Sequence, residues 1–449
     1  MQEPVEYTYE KSQNKGCARA HGHTNIIRDN SLSKDVSQYI FGDSPISIVM
    51  TNPPFGSREK VIDKNVLKHY ELGYVWDDYL NRTDQLRKSG QTQGTLFLER
   101  CYHFLKEDGI IGIVLPDGIY SNLNDDYIRK WIVTHFQVLA VISLPEETFR
   151  VESIGVNVKT SVLVAKKRKG LTKHNIFFAL PKTIGYDMQG EKTASNEVLD
   201  VPKYYYGEIE GIREKYFKIN LNNDELINRM DAQFYSYQIN MDNSFPLEKY
   251  CDIFVGKTPN KANYLNKGKI KILKVRCLTN KMIDWSDKKR DYVTEKWYKK
   301  REKETIDIHK YDIILASAAH VAKYIGDEID IVDTIPIDYS DVIASAKIIV
   351  IRVKNITEIN PYVLLLYLRT EECYKQIQSI IRGQTAEIYS CDLNKFRIPI
   401  SLVELSKRDG TEIQRMYELS LQKIKDGEKK LETIQNKYDL KIHSNIQHS

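Results

Sequence analysis

The clearest chemical signal in the chain is the six-residue string Thr51–Gly56, which reads TNPPFG. Its two prolines remove two backbone N–H donors and fix the turn, which leaves carbonyl oxygens free to accept from a ligand. The Asn52 side-chain oxygen and the Pro53 carbonyl are two acceptors for an exocyclic amine, and Phe55 offers a face for a planar base. These residue types favour chemistry on the amino group of a nucleobase. The alternative is that Pro53 and Pro54 form only a rigid turn.

The elements around this string predict an α/β domain. Short apolar runs alternate with helical patterns in the first third of the chain, which is typical of a mainly parallel sheet covered by helices. Such sheets collect ligand sites at the carboxyl ends of their strands, where the TNPPFG string falls. The predicted strands are Ser47–Met50, Ile110–Leu115, Val138–Leu144 and Thr160–Ala165, and the predicted helices are Gly94–Leu105 and Tyr127–His135.

The second half of the chain has a different texture, with short strands and turns rich in Lys, Asn, Gly and Tyr. The chain ends in apolar residues on alternating four/three spacing from Ile413 to Tyr438, a pattern typical of a helix that packs on another helix. We expect an α/β domain over 1–190, a bridging region over 191–244, an α+β domain over 245–405 and a helix over 406–449. The strand candidates in the α+β region are Ile272–Val275, Asp312–Leu315 and Lys347–Val353.

Composition limits the class of protein. A length of 449 residues predicts two or three domains, and 41% hydrophobic with 28% charged residues excludes a collagen-like or wholly disordered chain. Lys and Arg (66) nearly balance Asp and Glu (61), so a basic surface must come from local clustering. Six scattered cysteines without metal-ligand spacing predict reduced structural thiols and no metal. We expect a cytoplasmic protein, because neither a secretory signal nor an apolar run of membrane length is visible.

Further strings accompany TNPPFG in a fixed order: His21–Leu32, Leu96–Glu99, Gly109–Gly118, Val141–Pro145 and Gly155–Ser161. Together they resemble the N6-adenine DNA methyltransferases, in particular the modification subunits of type I restriction systems, over about residues 18 to 190. The resemblance implies a partial Rossmann-like methyltransferase sheet. It also implies methyl transfer from S-adenosylmethionine to N6 of an adenine flipped out of the duplex.

The same resemblance implies roles for individual residues. Asn52, Pro53, Pro54 and Phe55 would be catalytic, with Asn52 and Pro53 holding the amine. Asp29 and Asn30 would approach the cofactor, or they form only a turn or a helix cap.

Two other pairs have open interpretations. Asp117 and Gly118 either lie near the base or form a plain turn. Asn157 and Lys159 either face the same cleft or belong to a solvated loop.

One part of the family pattern is absent from the sequence before Asn52. The family's cofactor site opens with a glycine-rich turn of the Asp-Pro-x-x-Gly-x-Gly kind, and only 51 residues precede Asn52. We expect that a separate chain supplies this half, that the gene is a truncated remnant, or that the chain begins at an internal start. In each case the isolated chain should not bind S-adenosylmethionine.

The second half resembles a target recognition domain of type I specificity subunits, which implies double-stranded DNA as a partner, with restriction or modification subunits as further partners. The strings that carry this resemblance include Met230–Tyr235, Phe254–Pro259, Lys310–Leu315 and Gly383-Gln384. Basic residues interleaved with aromatics suit phosphate contacts and stacking, although solvated loops have the same composition. A non-enzymatic specificity protein with a vestigial catalytic half is the alternative function. The expected DNA-binding residues are Lys257, Lys261, Lys271, Lys274, Arg276, Lys289 and Arg290.

Overall fold

The architecture is known from a computed structural model. It describes residues 30–33, 46–54, 60–149, 159–168, 172–187, 189–210, 214–237, 243–319, 321–383 and 386–446, and side chains of the last helix as far as residue 434 except 432. Phe55, Asp29, Asn157 and Gln384 lie outside the described residues.

The first domain is built on a six-stranded sheet. Its order is β1-β6-β8-β7-β9-β10, with two parallel and three antiparallel neighbouring pairs, so that four strands point one way. The buried runs predicted as strands all lie in this sheet. The sheet strands are β1 (Ile46–Thr51), β6 (Leu105–Pro116), β7 (Phe136–Ser143), β8 (Thr160–Lys167), β9 (Lys173–Ala179) and β10 (Tyr216–Asn222). Two small two-stranded antiparallel sheets add β2 (Lys60–Val61) with β5 (Gln91–Thr92) and β3 (Tyr74–Trp76) with β4 (Arg82–Leu86).

Helices cover this sheet and bury a core centred on Trp131 and Ile113. The two helices predicted from apolar spacing are confirmed as α2 and α4, and α6 begins with a capping box between Asn222 and Glu225. The helices of the first domain are α1 (Lys64–Leu67), α2 (Gln93–Phe104), α3 (Asp117–Ser121), α4 (Asp126–His135), α5 (Val201–Tyr206), α6 (Asn223–Asn228) and α7 (Ala232–Tyr237).

The first domain extends beyond the boundary expected at residue 190. β10 pairs along its whole length with β9, and Met230 and Tyr235 are buried in the core of the sheet. The bridging interpretation of 191–244 is therefore wrong for most of that region. It failed because apolar Phe217, Ile219 and Leu221 alternate with polar residues in β10, at the edge of the sheet, which leaves no continuous apolar run.

The second domain contains two four-stranded sheets, with orders β12-β19-β16-β17 and β13-β15-β14-β18. The three predicted strands are confirmed as β14, β16 and β19. A short antiparallel pair, β11 with β20, joins the start of this domain to its end. The strands are β11 (Ser244–Pro246), β12 (Cys251–Val255), β13 (Tyr264–Leu265), β14 (Ile270–Leu273), β15 (Tyr292–Val293), β16 (Ile313–Ala316), β17 (Ile329–Ile331), β18 (Asp341–Ala344), β19 (Ile348–Val353) and β20 (Arg397–Pro399).

Five helices accompany these sheets, and the last of them is 47 residues long. Its first part packs on α9, where Tyr417 contacts Tyr362. It begins at Ile400, six residues before the expected start at 406. Among the described residues, no helix combines the length and apolarity that crossing a membrane requires. The helices are α8 (Glu295–Arg301), α9 (Pro361–Leu368), α10 (Glu371–Ile380), α11 (Ser390–Asn394) and α12 (Ile400–Ile446).

Candidate functional site

The TNPPFG string begins at the carboxyl end of β1, an edge strand of the sheet. β1 pairs in parallel with β6, with Thr51 opposite Ile113, so residues that follow either strand lie at the same edge of the sheet. Asn52 is exposed and Pro53 is buried. Within the described part of the chain, no hydrogen bond joins the Asn52 side chain to another residue. Its amide therefore remains available to a ligand.

A cavity of about 410 Å³ opens beside Pro54. Its size lies in the range of roughly 300–1,000 Å³ that is usual for small-molecule pockets. We call it the Pro54 cavity. Residues of both domains line it, among them Pro54, Gln91, Thr95, Gly118, Glu387 and Tyr389.

A second cavity of about 490 Å³ lies next to Asp117 and is also lined by both domains. Asp117 begins α3 and is buried. Its carboxylate accepts from the Ser161 hydroxyl at 2.7 Å and lies 3.5 Å from the Lys159 ammonium group. Burial raises the pKa of Asp117 above its ordinary value, although Lys159 and Ser161 oppose that change. Asp117 and Lys159 thus face one cavity and Gly118 faces the other.

Asn30 lies in a turn formed by residues 30–33. Its side-chain oxygen accepts from the backbone N–H of Leu32 at 3.1 Å, and Leu32 is buried against Tyr70 and Leu96. The Tyr70 hydroxyl donates to the Leu32 carbonyl at 2.8 Å. The turn interpretation of Asn30 is therefore confirmed, and a cofactor contact from Asn30 stays a prediction.

The predicted DNA-binding residues separate into two groups. Lys271 is fully buried on β14 and donates to Asp287 at 2.9 Å, so its side chain cannot reach a phosphate and its prediction as a DNA contact is wrong. Lys274 and Arg276 pair with Asp291, a fully buried carboxylate that also accepts from the Lys288 backbone N–H at 2.9 Å.

The other four residues are exposed. Lys257 pairs with Glu304 at 2.7 Å, while Lys261, Lys289 and Arg290 lie on the surface. Arg276, which pairs with Asp291, also donates to the Lys289 carbonyl at 3.0 Å. Asp291 and Arg276 together therefore hold the base of the loop that presents Lys289 and Arg290. A DNA contact from these exposed residues stays a prediction.

Residues at the domain junction were not identified from the sequence. Arg229 and Arg382 are fully buried, and each pairs with a carboxylate of its own domain and donates to carbonyls of the other domain. The Arg-Gly step at 382–383, directly after two isoleucines, was the available signal. Composition alone does not distinguish a buried arginine from a solvated one.

Two family models match the chain. Residues 18–230 match the family described as N-6 DNA methylase, and residues 242–432 match the type I restriction modification DNA specificity domain. The first half of the chain is thus similar to N-6 DNA methylases, and the second half is similar to type I specificity domains. The boundary between the two matches coincides with the boundary between the two structural domains.

Individual relatives are similar to this chain over only part of their own length. The chain is 24% identical over 157 residues to the methylase subunit of the type I restriction enzyme EcoEI from Escherichia coli, which is 35% of this chain and 27% of that protein. The chain therefore spans about a quarter of this curated relative.

Among solved structures, the type IIG restriction endonuclease BpuSI matches 84% of this chain and 50% of its own, at 14% identity and a TM-score of 0.39. A type I methyltransferase subunit from Streptococcus thermophilus matches 44% of this chain and 38% of its own, at 19% identity and a TM-score of 0.32. A type I S subunit from M. genitalium matches 41% of this chain and 42% of its own, at 11% identity and a TM-score of 0.26.

Proposed function

We propose that this chain is the catalytic and recognition part of a site-specific DNA methyltransferase that methylates N6 of adenine in a restriction–modification system. The observation that carries the proposal is the position of Asn52, whose exposed amide follows an edge strand of an N-6 DNA methylase region beside the Pro54 cavity. Location in the cytoplasm, where bacterial DNA lies, belongs to the same proposal.

In the proposed mechanism, the chain binds and orients the amine of a base that has left the duplex stack. The Asn52 side-chain oxygen and the Pro53 carbonyl accept its two N–H groups, which directs the nitrogen lone pair away from the ring. Holding the nucleophile in this orientation removes much of the entropic barrier to reaction. The chain needs no strong base before attack, because the acceptors raise the nucleophilicity of the amine.

S-adenosylmethionine is the methyl donor in this proposal, on the ground of family membership alone. The described residues do not fit the whole cofactor, because the Asn30 oxygen caps its own turn and none of the described strands ends in a glycine-rich turn. The remaining contacts would come from residues outside the described ranges or from a second chain.

The edge of the sheet supports a further polypeptide partner. Among the described residues, β1 pairs only with β6, so its other edge is unpaired. The Ile48 and Met50 side chains of β1 are 62% and 84% exposed. Unpaired edges with apolar side chains are sites of strand addition. We propose that a strand from another segment or chain pairs with β1 and brings the missing cofactor contacts.

The second domain would deliver the site to DNA. Lys257, Lys261, Lys289 and Arg290 are exposed and suited to phosphate contacts, which give affinity without sequence information. Lys274 and Arg276 remain in the proposal as residues that hold the loop in place through Asp291.

The test is methylation in a host that lacks adenine methylation, with modified bases read directly from its sequenced DNA. We expect N6-methyladenine at one recurring sequence when the chain is expressed with the genes that neighbour its own. Asn52→Ala should reduce the signal at least about 100-fold because one of two amine acceptors is lost, while DNA binding persists. Asn220→Ala is the matched control, since Asn220 is an exposed asparagine on β10 at the far edge of the sheet.

Two results would contradict the proposal. Near-normal methylation by Asn52→Ala would remove Asn52 from the chemistry. Sequence-specific DNA binding without methylation under every co-expression would favour the alternative function, a specificity protein with a vestigial catalytic half.

A further inference from the structure

The second domain contributes one wall of the Pro54 cavity. Arg382, Gly383, Glu387 and Tyr389 all line it, opposite Pro54 of the first domain. We call residues 382–383 and 386–389 the junction turn. A cavity that lies next to the amine-binding string is thus closed by the domain that is matched to DNA recognition.

Backbone hydrogen bonds fix the junction turn to the second domain. Arg382 and Glu387 exchange backbone hydrogen bonds at 2.8 and 3.2 Å, and Ile388 donates to the Ser317 carbonyl at 2.8 Å. Ser317 directly follows β16, a central strand of its sheet. The positions of Glu387 and Tyr389 are therefore tied to the core of the second domain.

The Arg382 side chain fixes the same turn to the first domain. Its guanidinium group pairs with both oxygens of Asp392 at 2.6 Å and donates to the Ser121 carbonyl, also at 2.6 Å. The backbone N–H of Gly383 donates to the Ser121 hydroxyl at 3.1 Å. Ser121 accepts both hydrogen bonds across the domains. It is the last residue of α3, the helix that carries Asp117 and Gly118.

A second arginine makes the reciprocal connection. Arg229 of the first domain pairs with Asp231 and donates to the carbonyls of Ile380 and Ile381 at 3.0 and 3.1 Å. A planar guanidinium group forms such bidentate and carbonyl bonds together, which an ammonium group cannot do. The two domains are therefore held in one relative orientation immediately beside the cavity.

We infer that the junction turn is a wall of the pocket that receives the target base, with Tyr389 in contact with that base and Arg382 as the positioning residue. This inference rests on the proposed function, and it names the ligand class as a purine that carries an amino group. It also gives a physical link between the recognition domain and the reaction, since the pocket is complete only when both domains are docked.

The chemistry of Tyr389 fits this ligand. Its hydroxyl donates to Glu387 at 3.0 Å, and burial and then Glu387 raise the pKa of Tyr389 to about 12. The hydroxyl is therefore neutral at physiological pH and its proton is directed to Glu387. Tyr389 thus presents to the cavity an aromatic ring and a hydroxyl oxygen that can accept a hydrogen bond. Both groups are suited to a planar base with an amine.

The first test replaces Arg382 by Lys in the complete chain. Arg352→Lys is the matched control, because Arg352 makes the same bidentate pair, with Asp312, and one carbonyl bond, all inside the second domain. We expect Arg382→Lys to raise amide hydrogen exchange in residues 117–122 about tenfold, because their fixed contact is lost. Arg352→Lys should leave those amides unchanged. Equal exchange in the two variants would overturn the positioning role, whether or not the protein methylates DNA.

The second test uses adenosine as a free probe in saturation-transfer NMR. We expect wild-type protein to bind it weakly and Tyr389→Ala to weaken binding at least about fivefold, with Arg352→Lys unaffected. Absence of binding by the wild type, or unchanged binding by Tyr389→Ala, would overturn the pocket assignment without reference to methyl transfer.

Methylation kinetics supply the third measurement once a target sequence is known. Arg382→Lys should lower kcat about tenfold and change KM for DNA less than twofold, because it displaces the wall and leaves the exposed DNA contacts intact. A purely structural role would lower the amount of folded protein and leave both constants of the folded fraction unchanged. That second result would overturn the inference.

Discussion

The junction between the domains and the exposed loop over residues 286–290 use cationic side chains in opposite ways. At the junction, Arg229 and Arg382 are buried, and each has a carboxylate partner and carbonyl partners. In the loop, Lys289 and Arg290 are exposed. The neighbouring carboxylate of Asp291 pairs with Lys274 and Arg276 instead of with these two cations.

This difference indicates what each region can do. A buried cation is costly unless it is fully paired, so its partners fix geometry. An exposed cation has little energetic role in folding and stays free to exchange water and counterions for a phosphate. Position in the fold, and not residue type, separates the residues that orient the domains from those proposed to meet DNA.

The largest expected effect is at the junction. Asp392→Asn should lower the free energy of unfolding by roughly 3–5 kcal/mol, because the buried guanidinium group of Arg382 loses its carboxylate. Urea denaturation followed by tryptophan fluorescence measures the change. Arg415→Ala removes an exposed pair with Glu412 and should leave the transition in place. Similar losses in both variants would remove the contrast between the two regions.

A smaller effect is expected from the loop. Replacing Lys289 and Arg290 together by Gln should lower affinity for a random-sequence duplex about tenfold and reduce the slope of log affinity against log salt by about 2. Stability should not change, because both side chains are exposed. Lys423 and Lys429, exposed on α12, supply a control with the same loss of charge. An equal loss of affinity in that control would show that only net charge matters.

The smallest effect is the pH dependence of the Arg229–Asp231 pair, which is confined to acid. Burial alone would raise the pKa of Asp231, but the Arg229 ion pair and hydrogen bond hold it below its ordinary value of 3.8. A depressed pKa stabilises the folded state above the ordinary value, and this contribution is lost as pH falls through the folded pKa. The stability difference between wild type and Asp231→Asn should therefore be constant near neutral pH and shrink below about pH 4. Urea midpoints across this range test it, and a difference independent of pH would contradict the assignment.

Much of the first domain could be predicted because its strands are continuous apolar runs. β1, β6, β7 and β8 were expected within a few residues, and so was the position of Asn52 at a strand end. β10 was missed because Phe217, Ile219 and Leu221 alternate with polar residues at an edge of the sheet. The direction of β8 was not predictable either, since apolarity does not encode strand polarity.

The site could be predicted only where chemistry is local. The roles proposed for Asn52 and Pro53 need only their own side chain and backbone carbonyl, so the string sufficed to suggest them. Lys271 resembled its exposed neighbours in sequence, yet it lies on a buried strand and pairs with Asp287. Arg382 depends on Ser121, 261 positions earlier, and no pattern along the chain reports such a contact.

The pairing of β11 with β20 has a consequence for how the chain can vary. Ser244 lies opposite Pro399, so the chain enters and leaves the second domain at neighbouring positions. A domain of different sequence and length could therefore occupy the interval, provided that it keeps a helix equivalent to α9, on which α12 packs. The replacement would have to preserve a guanidinium group at the position of Arg382 to meet Ser121. Under the proposed function, grafted domains that keep this contact should retain methyl transfer and change only the DNA sequence at which it occurs.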